Sequence, residues 1–463
     1  MFELLEKVLK EAQSWTEIRY HHRQKNTIAV RKGELENISS TICAGIGIRV
    51  LLNGAWGFSS TSKLGLNDII HTLREAEKSA RILGDYKKNK IKDIPKTGLA
   101  RGDFKPVIGD SLLNHTLEEK LTLVLDTEKL VMKASPLIQS ASCLYNEILD
   151  EKYILTGDGA RAHIIDTKPE FRVSAVAVKN GDMIMSSETA GVTGGWDDLF
   201  RDNNPQEMAE KSAKRAVDLL QAKYPTGERA TVIMDPAIVG LLAHEAIGHT
   251  VEADLVMAGS VTKGKIGQQI ASEIVTLCDS GHSEIAPNAS GILPVDDEGV
   301  PAKKTVVIER GILRSYLHNR ESAEIFGVEP TGNARAFEYS NEPIIRMRNT
   351  YIEPGKSDVD RMISEVKEGY LLKGAVGGQA DANAEFMFGV QEAYRIKDGK
   401  VGELLRGVTI SGQAFDVLKS VDALGREFKW GLGAGYCGKG QPAKVDAGGP
   451  YLRCRAIVGG RQK

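Results

Sequence analysis

The segment that most constrains this chain of 463 residues is an apolar helix interrupted by histidines and acids. The segment follows Pro236, a residue suited to the first turn of a helix, and reads LLAHEAIGHTVEAD from Leu241 to Asp254. Burying such polar side chains is costly unless a partner binds them, because they lose their hydration. The fold therefore has to bring something to this helix that binds its polar groups.

The two histidines of this segment, His244 and His249, are spaced one residue further apart than in the zinc motif H-E-x-x-H. In that motif the histidines share one helical face, and the intervening glutamate, here Glu245, is the general base. Five residues at about 100° each leave the imidazoles about 140° apart on a regular helix. For both to reach one metal ion, the helix must end or contain a π-bulge near Gly248. The alternative is a pair of ordinary buried, hydrogen-bonded histidines.

A catalytic zinc site usually has three protein ligands and one open position, so a third ligand must come from elsewhere. Glu252 and Asp254 are close in sequence. Cys437 lies in the distant glycine-rich segment GLGAGYCGKGQ, where the backbone can approach a ligand closely and a thiolate is a strong zinc donor. The sequence leaves all three open, and the thiolate and neighbouring glycines of Cys437 rank it only slightly above the two acids.

The order of the elements predicts an α+β fold with two domains. In the N-terminal domain, residues 1–226, a helix at 3–13 leads into an antiparallel meander with a hairpin at Asn53-Gly54 and a helix at 68–83. A looser second copy follows, with a helix at 117–134, a hairpin at Asn180-Gly181 and a helix at 205–222. Duplication of one unit would explain this, and so would the chance similarity of two Asn-Gly hairpins. The strand-like stretches of the second copy are short, at 138–148, 153–155, 163–166 and 171–178.

The C-terminal domain, residues 227–463, is predicted to be rich in β-strands. A buried strand at 230–235 leads into one helix over 237–256, and short strands with glycine turns follow. Further helices are expected at 320–326, 358–368 and 414–421.

Composition excludes several classes of protein. The chain has 60 basic and 62 acidic residues and a net charge of -2, which disfavours a charge-driven nucleic-acid partner. No apolar run approaches the roughly 20 residues of a membrane-spanning helix. Five scattered cysteines fit a reducing compartment better than a disulfide framework. We therefore expect a cytoplasmic protein that binds neither nucleic acid directly nor membrane.

Several segments, taken in order, give the chain a resemblance to the TldD/PmbA family of bacterial and archaeal metalloproteases, on the TldD side. They are HEAIGHTVEAD, DDEGVP at 296–301, TGNAR at 331–335, RMRNTYIEPG at 346–355 and GYCGKGQ at 435–441. One departure is TGNARA at 331–336, where family members often have TGNGRR.

The resemblance implies a zinc ion held by His244, His249 and Cys437, with Glu245 as the general base. It also implies hydrolysis of unfolded or small peptides with little sequence preference, and a dimer with a PmbA/TldE-type paralogue or with a second copy. Two other functions remain open: a noncatalytic regulator of the gyrase-modulator type with a structural metal, and a zinc amidase acting on small molecules. Cys454 is expected to be an ordinary strand residue.

Overall fold

The computed structural model describes residues 1–460 and shows an α+β chain built on two large sheets. The first sheet has seven strands, drawn from residues 15–191, and the second has eleven, drawn from residues 228–459. None of the helices within residues 1–460 is both long enough and apolar enough to span a membrane.

The first sheet and its helices come from the first 221 residues. The strands are β1 (Trp15–Arg31), β2 (Glu34–Leu52), β3 (Ala55–Thr61), β4 (Arg101–Phe104), β5 (Ile138–Thr156), β6 (Arg161–Lys179) and β7 (Asp182–Gly191). The helices are α1 (Phe2–Leu9), α2 (Leu66–Tyr86), α3 (Leu117–Lys133), α4 (Trp196–Phe200) and α5 (Pro205–Gln221), with a 3-10 turn at Leu112–Asn114.

Five antiparallel strands form the body of this sheet in the order β3-β2-β1-β5-β6, and β4 and β7 both pair with β6. The order helix, three antiparallel strands, helix occurs twice, each time around its own apolar core. Both predicted hairpins are confirmed. Asn53-Gly54 and Asn180-Gly181 have positive φ at both positions, which is the conformation of a type I′ turn.

The strands of the second copy differ from the prediction. The four short stretches are parts of two continuous strands, β5 and β6, of 19 residues each. Charged residues such as Lys152 and Lys168 interrupt the alternation of apolar and polar residues, so the sequence pattern predicts shorter strands. In the fold these side chains are buried and face the second half of the chain, where Lys152 pairs with Asp297 at 2.8 Å. Tertiary contacts therefore extend strands that the local pattern would end.

The second sheet and its helices follow. The strands are β8 (Glu228–Met234), β9 (Leu277–Ser280), β10 (Thr305–Glu309), β11 (Ile312–Leu313), β12 (Ala334–Arg335), β13 (Ile344–Ile345), β14 (Asn349–Ile352), β15 (Glu368–Ala380), β16 (Glu385–Lys397), β17 (Lys400–Leu405), β18 (Val408–Gln413), β19 (Ala423–Trp430), β20 (Tyr436–Cys437), β21 (Ala443–Lys444) and β22 (Asp446–Gly459). The helices are α6 (Pro236–Leu241), α7 (Ala253–Met257), α8 (Arg320–Phe326), α9 (Val359–Ser364) and α10 (Ala414–Lys419).

Five of these strands form a closed circuit, because β8 pairs with both β15 and β22 while β16 and β18 complete the path between them. Strands β9, β10, β11 and β14 extend the sheet outward from β22, and β12–β13 and β20–β21 are separate two-stranded pairs. Helix α6 leaves β8 and packs against β14, β15 and β22. The helix that carries the histidines is thus surrounded by the core of the second sheet.

Candidate metal centre and its surroundings

The single helix predicted over 237–256 is wrong, and the expected distortion near Gly248 is confirmed. Helix α6 ends at Leu241, and a π-helical turn over Leu242–Gly248 and a 3-10 turn over His249–Val251 follow before α7 begins. The wider π-turn adds one residue per turn, which brings His249 back toward the face of His244.

Gly248 contributes space rather than backbone freedom. Its φ of -55° is ordinary for a helix, so any residue could adopt this conformation. A Cβ at this position, however, would lie 1.9 Å from the sulfur of Met347, which is fully buried. The glycine therefore lets the π-turn pack closely against the segment that precedes β14.

Three side chains converge beside this turn: His244, His249 and Cys437. Their ligand atoms all lie within 4.8 Å of one another. Cys437, at the end of β20, is 188 residues from His249, and its Sγ lies 3.2 Å from Nε2 of that histidine. Two elements from distant parts of the chain thus meet at one point.

The nitrogen and sulfur atoms at this point fit a zinc ion. His244 is buried, yet neither of its ring nitrogens has a hydrogen-bond partner among the described residues. A buried imidazole without partners is unfavourable unless a ligand engages it. Two imidazoles and a thiolate are also the donors that zinc prefers, and three of them leave one position of a tetrahedron open.

The two acids that the sequence offered as other third ligands are engaged elsewhere. Glu252 is fully buried and accepts a hydrogen bond from Nδ1 of His249 at 2.8 Å. Lys439 lies 3.3 Å from the same carboxylate oxygen and pairs with Asp254 at 2.8 Å. A carboxylate on the far nitrogen of a ligand histidine fixes the ring and its tautomer. Sequence reasoning missed this arrangement, although the i, i+3 spacing of His249 and Glu252 was a usable signal.

The cluster has the electrostatics of an imidazolium beside a thiolate. Burial alone would lower the pKa of His249, but hydrogen bonds with Cys437 and Glu252 outweigh it and raise that pKa to about 10. Burial alone would raise the pKa of Cys437, but the neighbouring imidazoles of His244 and His249 lower it to about 3. The sulfur therefore has the deprotonated form that metal binding requires.

Glu245 lies on the exposed side of the π-turn. Its Oε2 is 3.9 Å from Nε2 of His249, and about 29% of its side chain is exposed. It lines a cavity of about 500 Å³ together with His249, Lys439 and the turn after β15 at Ala380. A carboxylate in this position can reach both the cluster and a molecule in the cavity.

Buried hydrogen bonds hold the segment that carries Cys437. Arg346, only 1% exposed, donates to the carbonyl oxygens of Cys437 and Gln441. The TGNAR segment is fixed in turn by the DDEG segment, since Asp296 and Asp297 accept backbone N–H groups of Ala334 and Ala336. These contacts persist with alanine at position 334.

Cys454 lies away from the cluster. It is buried in the middle of β22, where it pairs with Val232 of β8 and belongs to the apolar core of the second sheet. Burial raises the pKa of its thiol, so it stays protonated.

Comparison with known proteins finds matches to nearly the whole chain. Three family models match: PmbA/TldA metallopeptidase domain 1 over residues 16–80, the central domain over 110–220 and the C-terminal domain over 226–460. A metalloprotease of Methanocaldococcus jannaschii is 37% identical over 98% of this chain and 99% of its own length. A zinc metalloprotease TldD homolog of Saccharolobus solfataricus is 31% identical over 99% of this chain and 100% of its own.

Solved structures show the same fold. A Thermotoga maritima protein described as a candidate modulator of a DNA gyrase superimposes with a TM-score of 0.81 at 20% identity, covering 99% of this chain and 100% of that one. TldE from Thermococcus kodakarensis gives 0.76 at 18% identity, covering 99% of both chains.

Proposed function

The chain belongs to the PmbA/TldD family of metallopeptidases, and on this basis we propose that it is a zinc-dependent peptidase of low sequence specificity. The observation that carries this proposal is the convergence of His244, His249 and Cys437 beside Glu245 and a cavity. Three donors suit a catalytic zinc, whereas a structural zinc is usually closed by four protein ligands.

We assign the general base to Glu245. A zinc ion held by the three side chains would supply Lewis acidity toward the scissile carbonyl and increase the acidity of the attacking water. Glu245 would take the proton of that water and deliver it to the leaving amine, because its carboxylate lies next to the cluster and faces the cavity. Glu252 would hold His249 in one orientation throughout, through its hydrogen bond to Nδ1.

The substrate that suits the site is an extended, unfolded peptide. Beyond Leu372, β15 has β16 on one side and no strand on the other among the described residues. This open edge ends at Ala380, which lines the cavity with Glu245. A peptide added to such an edge is bound by main-chain hydrogen bonds, which are largely independent of sequence. A small-molecule amidase would have no use for this edge.

The proposal includes an assembly and a compartment. We propose that the protein works in the cytoplasm as a dimer, with a PmbA/TldE-type paralogue or with a second copy. The TldE structure of the same fold supports a related partner. Measuring the mass of the protein in solution, alone and mixed with the paralogue, would distinguish these two assemblies from a monomer.

Replacing Glu245 with Gln tests the function, because the amide keeps the shape of the side chain and removes the base. We expect zinc content to be unchanged and the hydrolysis of an unfolded, fluorescently labelled protein to fall by about 10²–10⁴-fold. Glu309→Gln, at an exposed glutamate on β10, is the matched control and should remain active.

Three results would contradict the proposal, each at a different point. Full hydrolysis by Glu245→Gln would show that Glu245 is not the general base. A wild-type protein that holds zinc but cleaves no peptide, alone or with its partner, would favour the regulator with a structural metal. Cleavage of small amides without cleavage of peptides would favour the amidase.

A further inference from the structure

A second, smaller cavity is lined in part by Tyr436, Ala443 and Lys444, in the segment that carries Cys437. It has a volume of about 40 Å³ and lies where the first sheet meets the second half of the chain. Six basic side chains line it against three acidic ones. The basic residues are Arg23, Lys152, Lys168, Arg335, Arg346 and Lys444.

Four of these cations have a carboxylate partner. Lys152 pairs with Asp297, Lys168 with Asp166, Arg23 with Asp150 and Lys444 with Glu170. The four carboxylate partners are the three acids of the lining and Glu170, which lies outside the lining.

The other two cations, Arg335 and Arg346, form no ion pair within residues 1–460. Asp297 and Asp279 attract Arg335 from a distance but pair with Lys152 and Arg348 instead. Among the described residues, the guanidinium of Arg335 donates only to the carbonyl oxygens of Met347 and Lys444, and that of Arg346 only to those of Cys437 and Gln441. The Nε of Arg346, on a side chain 1% exposed, has no hydrogen-bond partner in the described chain. Carbonyl dipoles stabilise a guanidinium but do not neutralise it, so the lining has two more cations than directly paired carboxylates.

The pKa values of three lining cations are lowered, with burial as the largest cause. Burial and the neighbouring Arg346 lower the pKa of Arg335 to about 10. Burial also lowers the pKa of Lys168 and of Lys444, and the carboxylate partner of each opposes this shift without cancelling it. A negative charge in the cavity would favour the charged form of each of these three side chains.

We propose that this cavity binds one small inorganic anion of about the size of chloride. The volume of about 40 Å³ exceeds the roughly 10–15 Å³ that one water-sized occupant needs, and it leaves no room for a peptide. The guanidinium groups of Arg335 and Arg346, which line the cavity without an ion-pair partner, are the charges that the anion would offset.

Such an anion would also act on the candidate metal centre, and this part rests on the proposed function. Arg346 lines the cavity and donates to the carbonyl oxygen of Cys437. An anion that fixes the guanidinium would thereby fix the backbone that positions the sulfur.

The anion can be tested on metal-free protein, separately from catalysis. Thermal unfolding is followed at constant ionic strength while sodium gluconate, whose anion is too large for the cavity, is replaced by sodium chloride. We expect the unfolding temperature to rise by roughly 1–4 °C when chloride exceeds its dissociation constant tenfold. Acetate at the same concentration gives the response to a carboxylate.

Two variants and one crystal make the test specific. Arg335→Met should abolish the chloride response, whereas Arg229→Met, at an exposed arginine that lines another cavity, should retain it. Wild-type crystals grown in bromide should show an anomalous peak in the cavity lined by Arg335 and Arg346, and this result does not depend on a variant that folds.

Water alone in the cavity of the bromide crystal would overturn the proposal. So would equal unfolding temperatures in chloride and gluconate, or a stronger response to acetate than to chloride. None of these outcomes bears on Glu245→Gln, so the peptidase proposal and the anion proposal can fail independently.

Discussion

The segment between Tyr436 and Lys444 contributes to two polar regions that differ in size and in charge. In the first region, His244, His249 and Cys437 lie next to a cavity of about 500 Å³ lined by Glu245 and His249. In the second region, buried cations surround a cavity of about 40 Å³. The first region has room for a substrate beside few charges, and the second has many charges with room for little more than an ion.

This difference assigns a separate task to each region. The proposed hydrolysis needs access for a substrate, and in the first region the polar cluster lies beside open space. Buried charges need partners, so the second region uses its charges to fix backbone carbonyls. Arg346 connects the two regions, because it lines the small cavity and holds the carbonyl oxygen of Cys437.

The largest effect should follow from removing the sulfur in the first region. Cys437→Ser should lower zinc affinity by more than about 100-fold, because losing even an outer-shell partner of a ligand costs about 10–100-fold. Zinc stoichiometry and competition with a chelator measure this. Cys454→Ser, at a buried thiol in the apolar core, should keep its zinc. Full zinc occupancy in Cys437→Ser would reassign the third ligand.

The next effect concerns the buried carboxylate behind the cluster. Glu252→Gln keeps the shape of the side chain but removes the charge that faces Nδ1 of His249, so zinc affinity should fall by about 10–100-fold. Asp254→Asn is the matched control, because it removes a carboxylate from Lys439 without touching His249. Equal chelator competition by the two variants would show that Glu252 has no particular influence on the metal.

A smaller effect is expected at the connection between the two regions. Arg346→Lys keeps the positive charge, but an ammonium cannot reach both carbonyl oxygens that the guanidinium holds. The free energy of unfolding should fall by about 1–3 kcal/mol, because a buried acceptor loses its donor. Denaturant titration measures this, and Arg361→Lys on an exposed side chain should change little. An unchanged stability would mean that the two regions are not connected through Arg346.

The smallest effect is expected at the π-turn. Gly248→Ala places a methyl group against the sulfur of Met347, and we expect a loss of roughly 1 kcal/mol, since methionine can change its rotamer. Combining it with Met347→Ala should restore part of this loss, which a double-mutant cycle detects. Gly98→Ala, in open space, is the control. If the two losses in the free energy of unfolding were strictly additive, Gly248 would not be needed for close packing against Met347.

Local patterns predicted the elements that local physics controls. The Asn-Gly pairs identified both hairpins because few other residues accept positive φ at two successive positions. Helical periodicity placed α3 and α5 within one residue of their ends. A metal ion shared by His244 and His249 at i, i+5 spacing predicted a distorted helix, and the structure has a π-turn there. The length of β5 could not be predicted, because its central charges are stabilised by partners far along the chain.

The sequence by itself determined the α+β class, the two histidines and glutamate of the distorted helix, and the residue types able to bind zinc. Only the tertiary structure decided that Cys437 meets His249 at 3.2 Å, that Glu252 holds the far side of that ring, and that Arg335 and Arg346 form no ion pair within the described residues. The physical reason is separation along the chain. Spacing within a turn fixes which side chains share a face, whereas residues 188 positions apart meet only where packing of the whole fold brings their elements together.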